Sequence, residues 1–257
     1  MTVQAAALFD LSGRVALVTG GSSGIGRRIG LALARAGAAV VLVARRAPQL
    51  ADAVASIKAE GGAAAGLDRD LGDPAAVDAV AEAAAEAFGA PDILVNAAGI
   101  NLREAPEEIT PESWQRTLNI NLAVPFFLAR ACVAGMRQKG GGRIVNIASL
   151  QSSRAFAGGM AYGASKGGVA QLTRAMAEAW SGDGITANAI APGFFPTGLT
   201  GPVFEDEARV AALAAQTAIG RNGRLDDLDG IAVFLAAPAS AYITGQVIYV
   251  DGGFTAK

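Results

Sequence analysis

Tyr162 and Lys166 stand four residues apart in "AYGASKGG" (161–168), in a chain of 257 residues that has no histidine. Four residues is about one helical turn, so the two side chains share a face, and an ammonium placed there stabilises a phenolate. An unperturbed tyrosine ionises near roughly pH 10, so acid–base work close to neutrality needs such a partner. The missing histidine excludes an imidazole base, a Ser-His-Asp triad and the usual zinc ligand sets. Proton transfer falls to Tyr, Lys, Asp or Glu, and no metal is expected.

A second chemical signal lies in "TGGSSGIGRR" (19–28), where Gly20, Gly24 and Gly26 sit between a strand-like run and a helix-like one. Glycines there let backbone N–H groups approach a pyrophosphate, whose charge the helix N-terminus stabilises. A dinucleotide site that selects NAD carries an acidic residue about 20 residues further on. This chain has Ala44 there, followed by Arg45 and Arg46. Guanidinium groups suit a 2′-phosphate, with Ser22 or Ser23 as further donors. NADP(H) is therefore the expected cofactor and NAD(H) the alternative. Asp70 either accepts from the adenine amino group or serves as a local cap.

The elements that must position these residues alternate along the chain. Apolar, β-rich runs at 14–20, 38–45, 63–70, 92–99, 142–149, 185–193 and 245–253 read as strands, and most are apolar throughout, as strands covered on both faces must be. Helical patterns lie near 24–36, 47–60, 74–88, 111–139, 161–182 and 226–237. Asp73 before Pro74 and Thr110 before Pro111 look like N-caps with first-turn prolines, and Gly37, Gly61 and Gly89 follow helix ends. Repeated β-α units predict an α/β fold, a Rossmann-type doubly wound parallel sheet of about seven strands with helices on both faces. Residues 1–257 form one domain on this reading, with 194–222 a Pro/Gly-punctuated insertion that covers a site as a substrate lid.

Together "TGGSSGIG" (19–26), "NAAG" (96–99), Asn121, Ser149, "YGASK" (162–166) and "APG" (191–193) resemble the short-chain dehydrogenase/reductase family, in its order and spacing and over nearly the whole chain. The resemblance implies hydride exchange between a nicotinamide and a carbonyl or secondary alcohol, with Tyr162 as general acid/base. It implies that Ser149 hydrogen-bonds the reacting oxygen, that Lys166 also holds the nicotinamide ribose, and that Asn121 anchors a proton-relay water, with Asn119 as its decoy. For the cofactor it implies contacts from Ile25, Leu71, Asn96, Ala97, Gly99, Pro192 and Gly193, and from Thr197 at the nicotinamide amide. Ala97 departs from the family's commoner asparagine.

Within the family, "LFDLSG", "GINLREAPEEI", "SLQSS" and "APGFFPTGLT" resemble gluconate 5-dehydrogenase-like members. That branch implies a sugar acid such as gluconate or 5-ketogluconate; Arg103, just after the fourth strand, is either a bidentate partner for its carboxylate or a solvated surface arginine, and Gln151 is a further candidate substrate residue. Ser153 and Arg154 stand where the branch tends to have a glutamate, and Phe156, Phe194 and Phe195 suggest an apolar wall. A carbonyl reductase for apolar ketones or ketoesters is thus the rival reading. A 3-oxoacyl-carrier-protein reductase is less favoured, because Gly140 and Asp183 occupy the places of its docking arginines. A silent nucleotide-binding scaffold is least favoured, having no use for the Asn, Ser, Tyr and Lys set.

Composition sets the remaining expectations. A net charge of -2 without basic runs gives no nucleic-acid footprint. The N-terminus lacks a signal-peptide pattern, no uninterrupted apolar run reaches a membrane span, and the lone Cys132 suits a buried thiol in a reducing cytoplasm. The family implies a homotetramer built through the helices at 111–139 and 161–182, with the C-terminal strand as a second contact.

Overall fold

Strands that are apolar on both faces need helices on both sides, and the chain supplies them. The computed structural model describes residues 5–74 and 77–257. Its strands are β1 (Val15–Thr19), β2 (Ala39–Ala44), β3 (Ala64–Asp68), β4 (Ile93–Asn96), β5 (Gly142–Ile147), β6 (Ile185–Pro192) and β7 (Val247–Val250). They form one sheet in the order β3-β2-β1-β4-β5-β6-β7, with every pair parallel. Chain direction across the sheet reverses between β1 and β4, so a crevice opens at their C-terminal ends, the place where such sheets bind ligands.

The helices are α1 (Gly24–Arg35), α2 (Ala47–Ala59), α3 (Val77–Phe88), α4 (Pro111–Leu118), α5 (Val124–Gln138), α6 (Met160–Trp180), α7 (Gly201–Phe204), α8 (Glu207–Gln216) and α9 (Asp229–Ala236). Ile29 and Leu33 of α1 share one core with Leu50 and Ile57 of α2 and Ala232 and Leu235 of α9. Val80 of α3, Leu128 and Met136 of α5 and Met176 of α6 build the other, and Cys132 lies within it. Burial pushes the Cys132 thiol up to about 12, which makes it an inert core group.

One expected element is divided. The helix read at 111–139 changes at Asn119–Ala123 into a π-helical turn between α4 and α5. Pro125 has no N–H to close an α-helical bond onto the carbonyl of Asn121. The chain widens there, and Val124 N–H reaches back to the Asn119 carbonyl. The stretch Pro111–Gln138 has the length and apolarity of a membrane span, but Leu128, Ala129, Val133 and Met136 commit one face of it to the core.

Thr110 caps α4, its Oγ1 accepting from Ser113 N–H at 3.2 Å. Gly37, Gly61 and Gly89 adopt φ of +103°, +84° and +91° after their helices. The Asp73–Pro74 start runs into residues 75–76, which lie outside the described residues. In the 194–222 segment, Val203 and Leu213 pack against Leu150 and Phe254.

Candidate active site

The turn after β1 leaves no room for side chains. Gly20 has φ +67°, and a Cβ on it would lie 2.9 Å from the Ala97 carbonyl oxygen, while one on Gly26 would lie 2.5 Å from the Gly20 carbonyl oxygen. Thr19 Oγ1 accepts from both Ala97 N–H and Ala98 N–H at 3.0 Å, fastening this turn to the end of β4. Ser23 occupies the N-cap of α1 without capping it; its hydroxyl accepts instead from Arg46 Nη2 at 2.8 Å. The first N–H groups of α1 are thereby left for an anion.

Arg45 Nε lies 3.8 Å from Asp70 Oδ1, and Ser23, Arg45 and Arg46 line the cleft together with Arg69, which the sequence reading passed over. Asp70 comes two residues after β3 ends and accepts from Gly72 N–H at 2.9 Å, so its carboxylate closes a local turn. Two guanidinium groups beside a glycine turn and an uncapped helix fit a phosphorylated dinucleotide.

The cleft extends from this corner to the ends of β5 and β6, with a volume of about 620 Å³. Ser149 follows β5, its Oγ accepting from Gln151 N–H at 3.1 Å. Tyr162 lies in the first turn of α6 with Lys166 in the next, and the ammonium is 5.7 Å from the phenol ring centroid. Lys166 is only 4% exposed and donates to the Ile147 carbonyl at 2.6 Å. Burial lowers its pKa to about 8. Desolvation raises the Tyr162 phenol above its ordinary value, opposed by a hydrogen bond from Ser149 and by the positive charge of Arg103. The groups that favour the phenolate in this geometry are Ser149 and Arg103, and the Lys166 ammonium is turned toward the Ile147 carbonyl.

Asn121 is 1% exposed and lies behind this row. Its Oδ1 accepts from Ile100 N–H at 2.9 Å, and its Nδ2 donates to the Ile100 carbonyl at 2.9 Å and to Ser165 Oγ at 3.0 Å. Ser165 in turn donates to the Tyr162 carbonyl at 2.6 Å, so a residue the sequence reading did not single out links Asn121 to the tyrosine turn. A Cβ on Gly99 would stand 3.3 Å from Asn121 Oδ1 and 3.8 Å from Lys166 Nζ, so glycine there keeps open the space between them. The decoy Asn119 accepts from Gln115 Nε2 on the exposed face of α4.

Most other expected residues meet in the cleft: Ser22, Gly24, Ile25, Leu71 and Ala97 on the dinucleotide side, and Pro192, Gly193, Thr197, Arg103, Gln151, Phe156 and Phe194 toward Tyr162. Asn96 is the exception. Its side chain is 4% exposed and points into the core, donating to Asn146 Oδ1 at 2.9 Å and to the Pro125 carbonyl at 3.3 Å. Strand alternation explains this, because Ala97 faces the crevice and its neighbour must face away. Thr197 is held by Thr200, another residue missed from sequence, whose Oγ1 receives Thr197 N–H at 3.0 Å and donates to the Phe195 carbonyl. Arg103 has φ +58°, the one non-glycine with positive φ among the described residues, and its Nη2 donates to the Leu199 carbonyl at 2.9 Å. Gln151 Oε1 is buried with no hydrogen-bond partner among the described residues.

Comparison with known proteins gives this geometry a family. A family model described as enoyl-(acyl carrier protein) reductase matches residues 20–255. Gluconate 5-dehydrogenase of Gluconobacter oxydans is 43% identical over 96% of this chain and 97% of its own length. A 2-dehydro-3-deoxy-D-gluconate 5-dehydrogenase of Bacillus subtilis is 41% identical, with 97% of each chain covered. The crystal structure of a gluconate 5-dehydrogenase from Burkholderia cenocepacia, in complex with NADP and tartrate, superposes with a TM-score of 0.94 at 39% identity, covering 99% of this chain and 100% of that one. The chain belongs to the short-chain dehydrogenase/reductase family of oxidoreductases.

Proposed function

We propose that the protein is an NADP(H)-dependent oxidoreductase that interconverts a sugar-acid alcohol and its ketone, of the gluconate/5-ketogluconate type. The observation that carries this reading is the pairing of Arg103 with the reacting end of the cleft. Its guanidinium is near enough to Tyr162 to favour the phenolate, so a carboxylate held there places its substrate against the proton donor. Gln151 lines the same end of the cleft. The curated relatives named for gluconate and deoxygluconate dehydrogenation agree with this.

When bound, the nicotinamide supplies or accepts the hydride. Gly20, Gly24 and Gly26 with the start of α1 would hold the cofactor's pyrophosphate, and Arg45, Arg46 and Ser23 would hold its 2′-phosphate. In reduction Ser149 donates to the substrate oxygen and orients it, and Tyr162 gives that oxygen its proton. Lys166 holds positive charge behind the phenolate that results, while Asn121 braces the 100 loop against α6. The 194–222 segment acts as the lid, and Arg103, bonded to Leu199 within it, ties lid to site.

The protein works as a homotetramer in the cytoplasm on this reading. Less than half of the apolar stretch 111–138 is buried within one chain, and the strand β7 is only half-buried, so partner copies have apolar faces to cover. The test of the substrate is a steady-state screen of 5-ketogluconate, other keto sugar acids and neutral ketones with NADPH and with NADH, repeated with Arg103→Ala. The proposal expects the highest kcat/KM with 5-ketogluconate and NADPH, and a KM for acidic substrates that rises at least about tenfold in the variant while neutral ketones are little affected. Equal effects on acids and ketones would contradict it.

A further inference from the structure

Ser149 owes its place to the turn that follows it. Its backbone is extended, and it stands at the N-cap of the short 3₁₀ turn Leu150–Ser152. Ser149 Oγ accepts from Gln151 N–H at 3.1 Å, and Ser152 Oγ accepts from Ser149 N–H at 3.3 Å, so the turn is closed at both serines. The Ser149 hydroxyl proton is left for the cleft, where it reaches the Tyr162 phenol.

Ser152 uses the same hydroxyl twice. Its Oγ also donates to the Lys166 carbonyl at 2.8 Å, which fastens the turn to the helix that carries both Tyr162 and Lys166. Ser149, Leu150 and Gln151 line the catalytic cleft, whereas Ser152 and Ser153 line a second cavity of about 790 Å³ beside β7. There Tyr249 Oη donates to Ser153 Oγ at 2.6 Å, holding the far side of the turn to the edge strand. Ser152 reaches the reacting atoms only through Ser149 and α6.

Two groups that must meet one substrate oxygen thus come from separate elements, Ser149 from the end of β5 and Tyr162 from α6. A misplacement of about 1 Å between such groups can cost about a hundredfold in rate. We infer that Ser152 is a positioning residue that sets the Ser149 hydroxyl against the Tyr162 phenol by bridging the Ser149 N–H and the Lys166 carbonyl. The inference rests on Ser149 and Tyr162 as the reacting pair and holds whichever ketone is the substrate.

The test is a double-mutant cycle on turnover, with NADPH and the ketone that ranks first in the screen described above. Ser152→Ala should lower kcat about ten- to thirtyfold, with KM and NADPH affinity within about threefold of wild type. In Ser149→Ala, where the positioned group is gone, adding Ser152→Ala should lower kcat by less than about a further threefold. Additive losses would make Ser152 a structural residue and overturn the inference. Ser152→Thr keeps the hydroxyl and has the second cavity to receive its methyl, so it should recover most of the rate. Ser152→Cys keeps the volume but exchanges the hydroxyl for a weakly hydrogen-bonding thiol, and should not recover it. The pH profile gives an independent readout, because alcohol oxidation needs the phenolate. The groups facing Tyr162 are Ser149, Lys166 on its own helix and Arg103 from the loop after β4. Loosening Ser149 weakens its bond to the phenol, so the acid limb of kcat should move up by about half a pH unit or more in Ser152→Ala. An unmoved limb, or a cysteine variant as fast as the threonine one, would overturn the inference. If Ser152→Ala does not fold, the cysteine and threonine variants carry the same comparison. Wild-type turnover in Ser152→Ala beside a slow Ser149→Ala overturns this inference alone, and wild-type turnover in Ser149→Ala overturns the role of Ser149 on which it rests.

Discussion

Lys166 carries a cost that can be measured. Its amine is buried with a pKa of about 8, against about 10.5 in the unfolded chain, so the folded state holds the proton less well. Below about pH 8 both states are charged and the full penalty, on the order of 3 kcal/mol, weighs on the fold. Between about 8 and about 10.5 the folded protein releases the proton first, and the penalty fades. Lys166→Met should therefore melt at a higher temperature than the wild type at about pH 7, with the gap narrowing by about pH 9.5, while turnover falls at least about a hundredfold. A gap that widens with pH would refute this account of the lysine. At the same scale, Arg45→Ala and Arg46→Ala each remove a guanidinium from the phosphate corner. Each should weaken NADPH binding roughly tenfold or more with little effect on NADH, as titration of cofactor fluorescence would show. Equal weakening of both cofactors would take that arginine off the 2′-phosphate.

The glycine turn is where an element enforces its residues. A methyl group at Gly26 would meet the carbonyls of Gly20 and Thr19 at 2.5 and 2.9 Å, both backbone, so nothing there can yield cheaply. Gly26→Ala should lower the melting temperature and abolish saturable NADPH binding; a variant that still binds with wild-type affinity would mean that the turn is looser than its geometry implies. All seven strands were legible in the sequence, most of them as apolar runs beside glycine-marked turns; β3 is the exception, with exposed residues alternating along it. The π-helical turn at Asn119–Ala123 was less so. Its cause, Pro125 opposite the Asn121 carbonyl, is visible in the sequence, but helical periodicity continues through it and hides the break.

Across the whole molecule, the cleft gathers residues from 20 to 209 in sequence, and the site residues expected from the motifs and the family resemblance all line it except the two asparagines. Asn96 failed for want of strand register: one residue decides crevice or core. Asn121 sits just behind the cleft as a brace. Ser165, Thr200 and Ser152 were not assigned functional contacts because their partners are distant or backbone atoms, which no motif encodes. Assembly belongs to this scale as well; light scattering should return four times the 25.8 kDa chain mass, and a monomer would contradict the proposed tetramer. The central claim is that Tyr162 is the proton donor and acceptor. It is tested most directly by comparing wild type and Tyr162→Phe for NADPH oxidation with 5-ketogluconate, with NADPH affinity measured on the same samples. The account predicts a fall in turnover of at least about a hundredfold with NADPH affinity within about threefold of wild type, and a near-normal rate in the phenylalanine variant would contradict it.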